Sequence, residues 1–302
     1  MGKRSLRGKG PTPKAEDRPY HKAFRKRGPN EPGRTPGGKP KGQFSGRRQY
    51  GGTATAGADW VIGRNPVWEA LQAGLPVKRA YVADGVERDD RLRDILAFAA
   101  NNGISLLQAT RQELDRLTGG GVHQGVALQL PSYEYANAQT VLEDALASDE
   151  AALVVALDSI TDPRNLGAII RSAAAFGAQG VIIPERRSAQ VTAAAWKTSA
   201  GAAARIPVAR VTNLNRTLKS YAEAGFQVVG LAGEAETDIT AVGDGSPVLL
   251  VVGAEGSGLS HLVRQNCDVL ARIAITSEVE SLNASVAASI ALYEITRAQL
   301  AE

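Results

Sequence analysis

From Trp60 to the C-terminus, short apolar runs alternate with stretches in which apolar residues recur every three or four positions. The first pattern is that of buried strands and the second that of amphipathic helices. Over 59–132 it predicts strands at 79–83, 104–107 and 125–130, helices at 89–101 and 111–117, and a capped helix start at Asn65. That order fits a small three-layer α/β domain. Residues 133–150 read as a linker carrying a short acidic helix at 140–147. From 151 to 302, strands are expected at 153–157, 180–183, 205–209, 226–230, 248–252 and 269–275, with helices between them. Unbroken Val, Ile and Leu runs mark strands buried on both faces, so a mostly parallel sheet is expected. A helix over 193–204 has little side-chain bulk, which would permit another element to pack closely against it.

Residues 1–58 show neither period. The first 50 hold 9 Gly, 7 Pro, 15 Lys or Arg and only 3 Asp or Glu, an excess of 12 positive charges; the remaining chain has 20 basic against 28 acidic residues. With so few aliphatic side chains the segment cannot offset its ordering entropy, and a disordered basic tail is expected. It serves either as a solubilising tail or as a polyelectrolyte arm for RNA phosphates. Cys267 is the only cysteine and the three histidines are scattered, which excludes an internal disulfide and a multi-thiolate zinc site; no metal is expected. No run of about 18 apolar residues occurs, and the basic N-terminus lacks an apolar signal core, so the reading is cytoplasmic with no membrane partner.

Candidate chemistry lies at strand ends. The run 248–252 stops at Gly253-Ala254-Glu255-Gly256-Ser257-Gly258, whose glycines admit backbone conformations that other residues resist. Its spacing is not that of the dinucleotide fingerprint, and no Lys follows to make it a P-loop. Ser281-Leu282-Asn283-Ala284-Ser285 opens an Ala-rich helix, with Ser281 or Asn283 as the cap. Upstream, Asp162-Pro163 reads as N-cap and first helical position, placing Asn165 in the first turn and Arg171 about two turns along. Taken alone, Arg171 would more often be a solvated helix residue.

The ordered motifs N-L-G-x-x-x-R-S-A (165–173), G-x-E-G-x-G (253–258) and S-L-N-x-S-V-A (281–287) resemble those of the SpoU/TrmH family of RNA 2′-O-ribose methyltransferases, in the SPOUT class. With R-S-A-Q at 187–190 and the smaller preceding domain, the resemblance is nearest to RlmB-like guanosine methyltransferases of 23S ribosomal RNA. It implies a trefoil-knotted SPOUT domain at 151–302, an L30e-like RNA-binding domain at 59–132, S-adenosyl-L-methionine as methyl donor, an RNA partner and a homodimer. Carried over residue by residue, Arg171, Asn165, Glu255, Ser281 and Asn283 become catalytic candidates, and Gly253, Ile273 and Leu282 donor contacts. Arg64, Asn65 and His123 become RNA contacts, although His123 reads equally as a surface loop residue. A guanidinium is a poor base, so charge stabilisation or a phosphate grip suits Arg171 better than proton abstraction. Methylation of transfer RNA, antibiotic-resistance methylation of ribosomal RNA, and a noncatalytic role in ribosome assembly stay open as alternatives.

Overall fold

The computed structural model describes residues 60–148, 150–243, 245–276 and 281–300. The expected basic tail lies outside the described residues, which all fall in one unit, Gly51–Glu302. None of the helices searched among them is long and apolar enough to cross a membrane.

The first sheet contains β1 (Trp60–Ile62), β2 (Arg79–Ala83), β3 (Leu106–Ala109) and β4 (Val126–Gln129) in the order β1-β4-β2-β3, with only β2 and β3 parallel. Helices α1 (Arg64–Gln72) and α2 (Asp90–Asn101) cover one face through Val67, Leu71, Leu92 and Ile95, while α3 (Arg111–Leu117) inserts Leu114 against Ala83, Ala109 and Ala127 on the other. The three layers are as expected. The start of α1 is not: Gly63, with φ 92°, occupies the cap position, and the Gln124 side chain accepts from the Arg64 amide at 3.0 Å. A remote side chain thus supplies the cap expected from Asn65. Asp89, by contrast, caps α2 locally by accepting from the Leu92 amide, and that bond holds its carboxyl below the usual carboxylate range.

Residues 133–150 do not act as a free linker. Ala136 bridges to Ala209, and α4 (Ala138–Leu146) buries Val141, Leu142 and Ala145 against the second sheet. That sheet comprises β5 (Leu153–Asp158), β6 (Gly180–Pro184), β7 (Val208–Val211), β8 (Gln227–Leu231), β9 (Thr237–Asp238), β10 (Val248–Gly253) and β11 (Val269–Arg272). All its pairings are parallel, in the order β7-β6-β5-β10-β8-β11-β9. Alternate residues of β5 and β10 serve opposite faces, as strand geometry dictates. Leu153, Val155, Leu157, Val248, Leu250 and Val252 join the core beneath α5 (Pro163–Ala175), α6 (Ala193–Ser199) and α9 (Ala284–Gln299). Val154, Ala156, Leu249 and Val251 join that beneath α4, α7 (Leu214–Glu223) and α8 (His261–Gln265). A fully buried Leu or Val contributes about 1.5–3 kcal/mol, so the unbroken apolar runs fix these strands at the sheet centre.

Further boundaries depart from expectation: the strand placed at 269–275 ends at Arg272, and the one placed at 104–107 runs from Leu106 to Ala109. The strand placed at 205–209 starts only at Val208, after Pro207, which has no amide to donate to a ladder. The helix placed at 193–204 breaks at Ala200 (φ 49°) and Gly201 (φ 83°), leaving a 3₁₀ turn at Ala202–Ala204. Its small residues already serve an internal contact: a Cβ at Gly167 of α5 would strike the Thr198 hydroxyl and the Ala195 carbonyl. Trp196 packs against both sheets' cores, and Lys197 forms an ion pair with Glu69 of α1.

Candidate active site

Strands β5 and β10 lie side by side with Asp158 opposite Gly253, so the chain leaves both at the same edge of the sheet. From β5 the sheet continues through β6 and β7 to one side, and from β10 through β8, β11 and β9 to the other. Connections diverge there, leaving a crevice of the kind where α/β sheets bind ligands. Asp158 is buried and joins the two exits. Its Oδ2 accepts from the Ser260 amide at 2.6 Å and its Oδ1 from the Ser159 hydroxyl at 3.1 Å. Ser159 itself has φ 62°, a left-handed conformation costly for a non-glycine residue and of the kind found at functional turns.

The loop after β10 doubles back, with Ala254 and Gly258 exchanging backbone hydrogen bonds of 3.1 and 2.9 Å. A Cβ at 253 would lie 2.5 Å from both the Gly258 carbonyl oxygen and the Leu259 amide nitrogen, so only glycine fits. Gly256 and Gly258 have φ of 77° and 63°. The glycine spacing thus answers one close approach and two left-handed residues.

This loop delivers Glu255 to the joined N-termini of α5 and α9. The helices run parallel: Ser172 and Ser289 share a 2.7 Å hydrogen bond, and the Phe176 and Tyr293 rings lie 5.9 Å apart a turn later. At their starts Asn165 Nδ2 donates to Glu255 Oε1 at 2.9 Å, the Ala284 amide donates to the same oxygen at 3.4 Å, and Asn283 Nδ2 also donates to it. Asn283 Nδ2 further donates to Asn165 Oδ1 at 3.1 Å, while its own Oδ1 caps α9 by accepting from the Ser285 and Val286 amides at 3.0 and 3.3 Å. An amide side chain carries both a donor and an acceptor, which lets Asn283 cap a helix and hold a carboxylate together. Helix N-termini favour negative charge, and two of them flank Glu255. Its Oε2 makes no hydrogen bond to a described residue.

Behind the cluster opens a cleft of about 650 Å³. Leu231, Val252, Ala271, Ile273 and Leu282 form apolar walls; Glu234, Glu255, Arg264 and Ser281 are polar groups in its lining. A backbone amide, and then the paired Arg264, hold the Glu234 carboxyl below the usual range. Arg272 and Ser257 add to the polar lining, so the cleft is of small-molecule size and mixed in character.

Of the residues expected at a site, Asn165, Glu255 and Asn283 form one hydrogen-bonded cluster, and Gly253, Ile273, Ser281 and Leu282 line the adjoining cleft. Arg171 stands outside the cluster, exposed on α5 with no hydrogen bond or ion pair to any described residue. The three expected RNA contacts are already engaged to different degrees. Arg64 donates to the Gln124 and Glu87 carbonyls at 3.3 and 2.9 Å and pairs with Asp89. Exposed Asn65 accepts from Arg91 at 3.3 Å. The His123 ring turns inward, 8% exposed, with Nδ1 accepting from the Gly125 amide at 3.0 Å and Nε2 3.2 Å from Asp115. His123 thus shapes its loop with both nitrogens rather than presenting them outward. Asp158, to which the sequence reading gave no role, is the residue that ties the two exits; its one available signal was a carboxylate closing an otherwise apolar strand.

Fold and site together define a small-molecule cleft at the carboxyl edge of a parallel sheet, backed by a hydrogen-bonded polar cluster of the kind enzymes of this architecture carry. Residues 152–293 match the SpoU rRNA Methylase family, and residues 60–136 match the family described as RNA 2′-O ribose methyltransferase substrate binding. A protein of Mycolicibacterium gilvum named as an uncharacterized tRNA/rRNA methyltransferase is 51% identical over 98% of this chain and 90% of its own length. Among solved structures, the SpoU methyltransferase AviRb of Streptomyces viridochromogenes in complex with AdoMet is 26% identical, with a TM-score of 0.58 over 82% of this chain and 92% of that one. An AdoMet-bound rRNA methyltransferase of Sinorhizobium meliloti is also 26% identical, with a TM-score of 0.56 over 80% and 87%. The chain belongs to the SpoU rRNA methylase family and is an S-adenosylmethionine-dependent RNA methyltransferase. The cleft suits that donor. It has room for a small molecule, apolar side chains beside polar ones, and at Gly253 a close turn that keeps backbone rather than side chain on one side.

Proposed function

We propose that this methyltransferase acts on a ribose 2′-hydroxyl of RNA, with a guanosine of 23S ribosomal RNA as target. The observation that carries the reading is the Asn165, Glu255 and Asn283 cluster at the cleft, where a hydroxyl-bearing substrate would meet oriented polar groups. Gly253, Ile273 and Leu282 would hold S-adenosylmethionine, which supplies an electrophilic methyl group when bound. The protein's own share is positioning and management of the hydroxyl proton. Glu255, pinned through Oε1, keeps Oε2 for a hydrogen-bond donor on the substrate; Asn165 and Asn283 fix its position, and Ser281 lines the cleft beside it. Arg171 stabilises the developing alkoxide or grips the neighbouring phosphate.

The same reading takes the larger sheet as a trefoil-knotted SPOUT fold, the first sheet as an L30e-like RNA-binding domain, and the active unit as a cytoplasmic homodimer. The exposure of Arg171 supports sharing of sites between subunits. It lies on the same helix pair as the exposed apolar residues Val286 and Tyr293, so a second copy covering that pair would bring the guanidinium to a partner's cleft. The test is methyl transfer from labelled donor to total RNA, with the modified nucleotide mapped, using wild type, Arg171→Ala, Asn283→Ala and their mixture. Label on a 23S ribose is expected, abolished in each variant and partly restored in verified mixed dimers. Label on a base, or on transfer RNA alone, would overturn the substrate; unrestored mixed dimers would overturn the shared site.

A further inference from the structure

The R-S-A-Q segment at 187–190 has no part in the donor cleft, and its contacts lead away from it. The Ala189 amide and the Ser188 hydroxyl donate to the Ile160 carbonyl, in the turn after β5, at 2.7 and 3.3 Å. Gln190 is held by its amide to the Pro184 carbonyl at 3.4 Å, and its Oε1 accepts from Arg210 at 3.5 Å. The Arg210 guanidinium lies 4.6 Å over the Tyr135 ring, at the mouth of a groove of about 450 Å³ that also holds Arg216. Two arginines and no Asp or Glu are among the described residues lining this groove. Arg216 makes no side-chain hydrogen bond or ion pair to a described residue, whereas Arg210 is oriented in advance by a ring and an amide. Arg186 and Arg187 are exposed between the groove and the turn after β5, and Arg187 is held at φ 57°.

We propose that this groove and the arginines leading to it form a second RNA seat on the catalytic part of the chain, binding the sugar-phosphate backbone of the substrate strand beside the methylated nucleotide. The proposal rests on the reading of the substrate as RNA. Charge selects a polyanion, and position selects RNA: the groove opens at the carboxyl end of β7, the same edge at which β5 delivers the active site. Two strand spacings, ~10 Å, separate the end of β7 from that of β5, and a third, ~15 Å in all, reaches β10 at the near side of the cleft. A strand bound at the cleft would therefore cross Arg186 and Arg187 before reaching Arg210. Stacked, pre-oriented guanidinium groups suit phosphate and exposed bases alike. Phosphate contacts of this kind hold register and do not read sequence.

The test uses the full chain, so that the tail contributes equally to every variant. Binding of a ribosomal RNA fragment is measured for wild type, Arg210→Gln/Arg216→Gln and Thr212→Glu between about 50 and 200 mM salt. Thr212→Glu changes an exposed groove residue, so it carries the test if the double variant folds poorly. The double variant should bind roughly ten-fold more weakly at low salt. Its slope of log K against log salt should shrink by about one per arginine. Arg216→Lys should restore most of its share, and calorimetric donor affinity should stay unchanged. Wild-type slope and RNA KM in both groove variants, from an enzyme that does methylate RNA, would overturn the groove alone. No RNA methylation by wild type would overturn the functional reading and the groove with it, and a shifted methylation position in the variants would overturn the backbone-only contact.

Discussion

Replacing Gly253 by alanine separates the two demands that the glycine loop meets. The added Cβ falls 2.5 Å from the Gly258 carbonyl oxygen and the Leu259 amide nitrogen, against the 3.4–4 Å of ordinary contact, and both obstacles are backbone. Relief requires the loop to lift by about an ångström, which stretches the reciprocal Ala254–Gly258 hydrogen bonds of 3.1 and 2.9 Å. At about 0.5–1.5 kcal/mol each, their loss together with overpacking of about 1–3 kcal/mol predicts a destabilisation of a few kcal/mol. The lifted loop moves the backbone of residues 253–259 that lines the cleft, so donor affinity should fall at least ten-fold, about 1.4 kcal/mol, and it also carries Glu255 away from Asn165 and Asn283. Gly256→Ala is the control. No atom lies within 4 Å of its added Cβ, and its φ of 77° limits the cost to about 1–2 kcal/mol of backbone strain. Calorimetric titration with S-adenosylmethionine and thermal melts of both variants make the comparison. Donor affinity lost equally in the two, or kept in Gly253→Ala, would refute the steric account.

Gly167→Ala should destabilise the fold by about 1–3 kcal/mol, because the new methyl displaces Thr198, whose hydroxyl donates to the Ala194 carbonyl at 2.9 Å, and meets the Ala195 carbonyl; donor affinity of the folded fraction should stay within two-fold, and an unchanged Tm would refute the contact. Burial pushes the Cys267 thiol up to about 12, from an ordinary value near 9. The folded state therefore holds its proton longer than the unfolded chain, so this group's contribution to stability is fully present below about pH 9 and is lost as the pH rises towards 12. Alkylation of the native protein at about pH 8 should be far slower than of the urea-unfolded chain, and equal rates would show the thiol to be accessible and ionised.

Much of the site was legible because its local chemistry is short-range. Asp162 accepts from the Arg164 amide two residues on, with Pro163 at the first helical position, and Asn283 caps its own helix; both follow from capping rules applied to neighbours. The apolar runs at β5 and β10 likewise set those strands, since burial on both faces leaves no polar alternation to confuse with a helix. What escaped was set by residues distant in sequence. Gln124 caps α1 from 60 positions away, and Asp158 holds the Ser260 amide across 102. The two-residue β9 exists only because β11 pairs with it at Thr237 and Asp238, and at Ala200 the one local warning of a break was Gly201, a single glycine in a run of small residues. The inward turn of His123 depends on Asp115 and on the path of its loop, neither of which has a periodic signature.

Convergence of the three motifs follows from one step in the strand order. If β10 had joined the sheet at the open edge beyond β9, the Gly253 loop would leave the sheet about four strand spacings from Asn165, near 20 Å, and no side chain would close that distance. Insertion between β5 and β8 brings the loop one spacing from the end of β5, and the pairing of Asp158 with Gly253 sets both exits level. A slip of one residue in that register would send Val248, Leu250 and Val252 to the opposite face and exchange the two cores. The apolar pattern that stabilises the sheet therefore also fixes where Glu255 meets the two helix N-termini. Asp158 adds a tether at the same point, a buried carboxylate that would lose its Ser260 partner if the exits moved apart. Its geometry ties the loops beside the cleft to the two central strands, so the polar cluster is held by the most deeply buried part of the sheet although Glu255 and Asn283 are exposed.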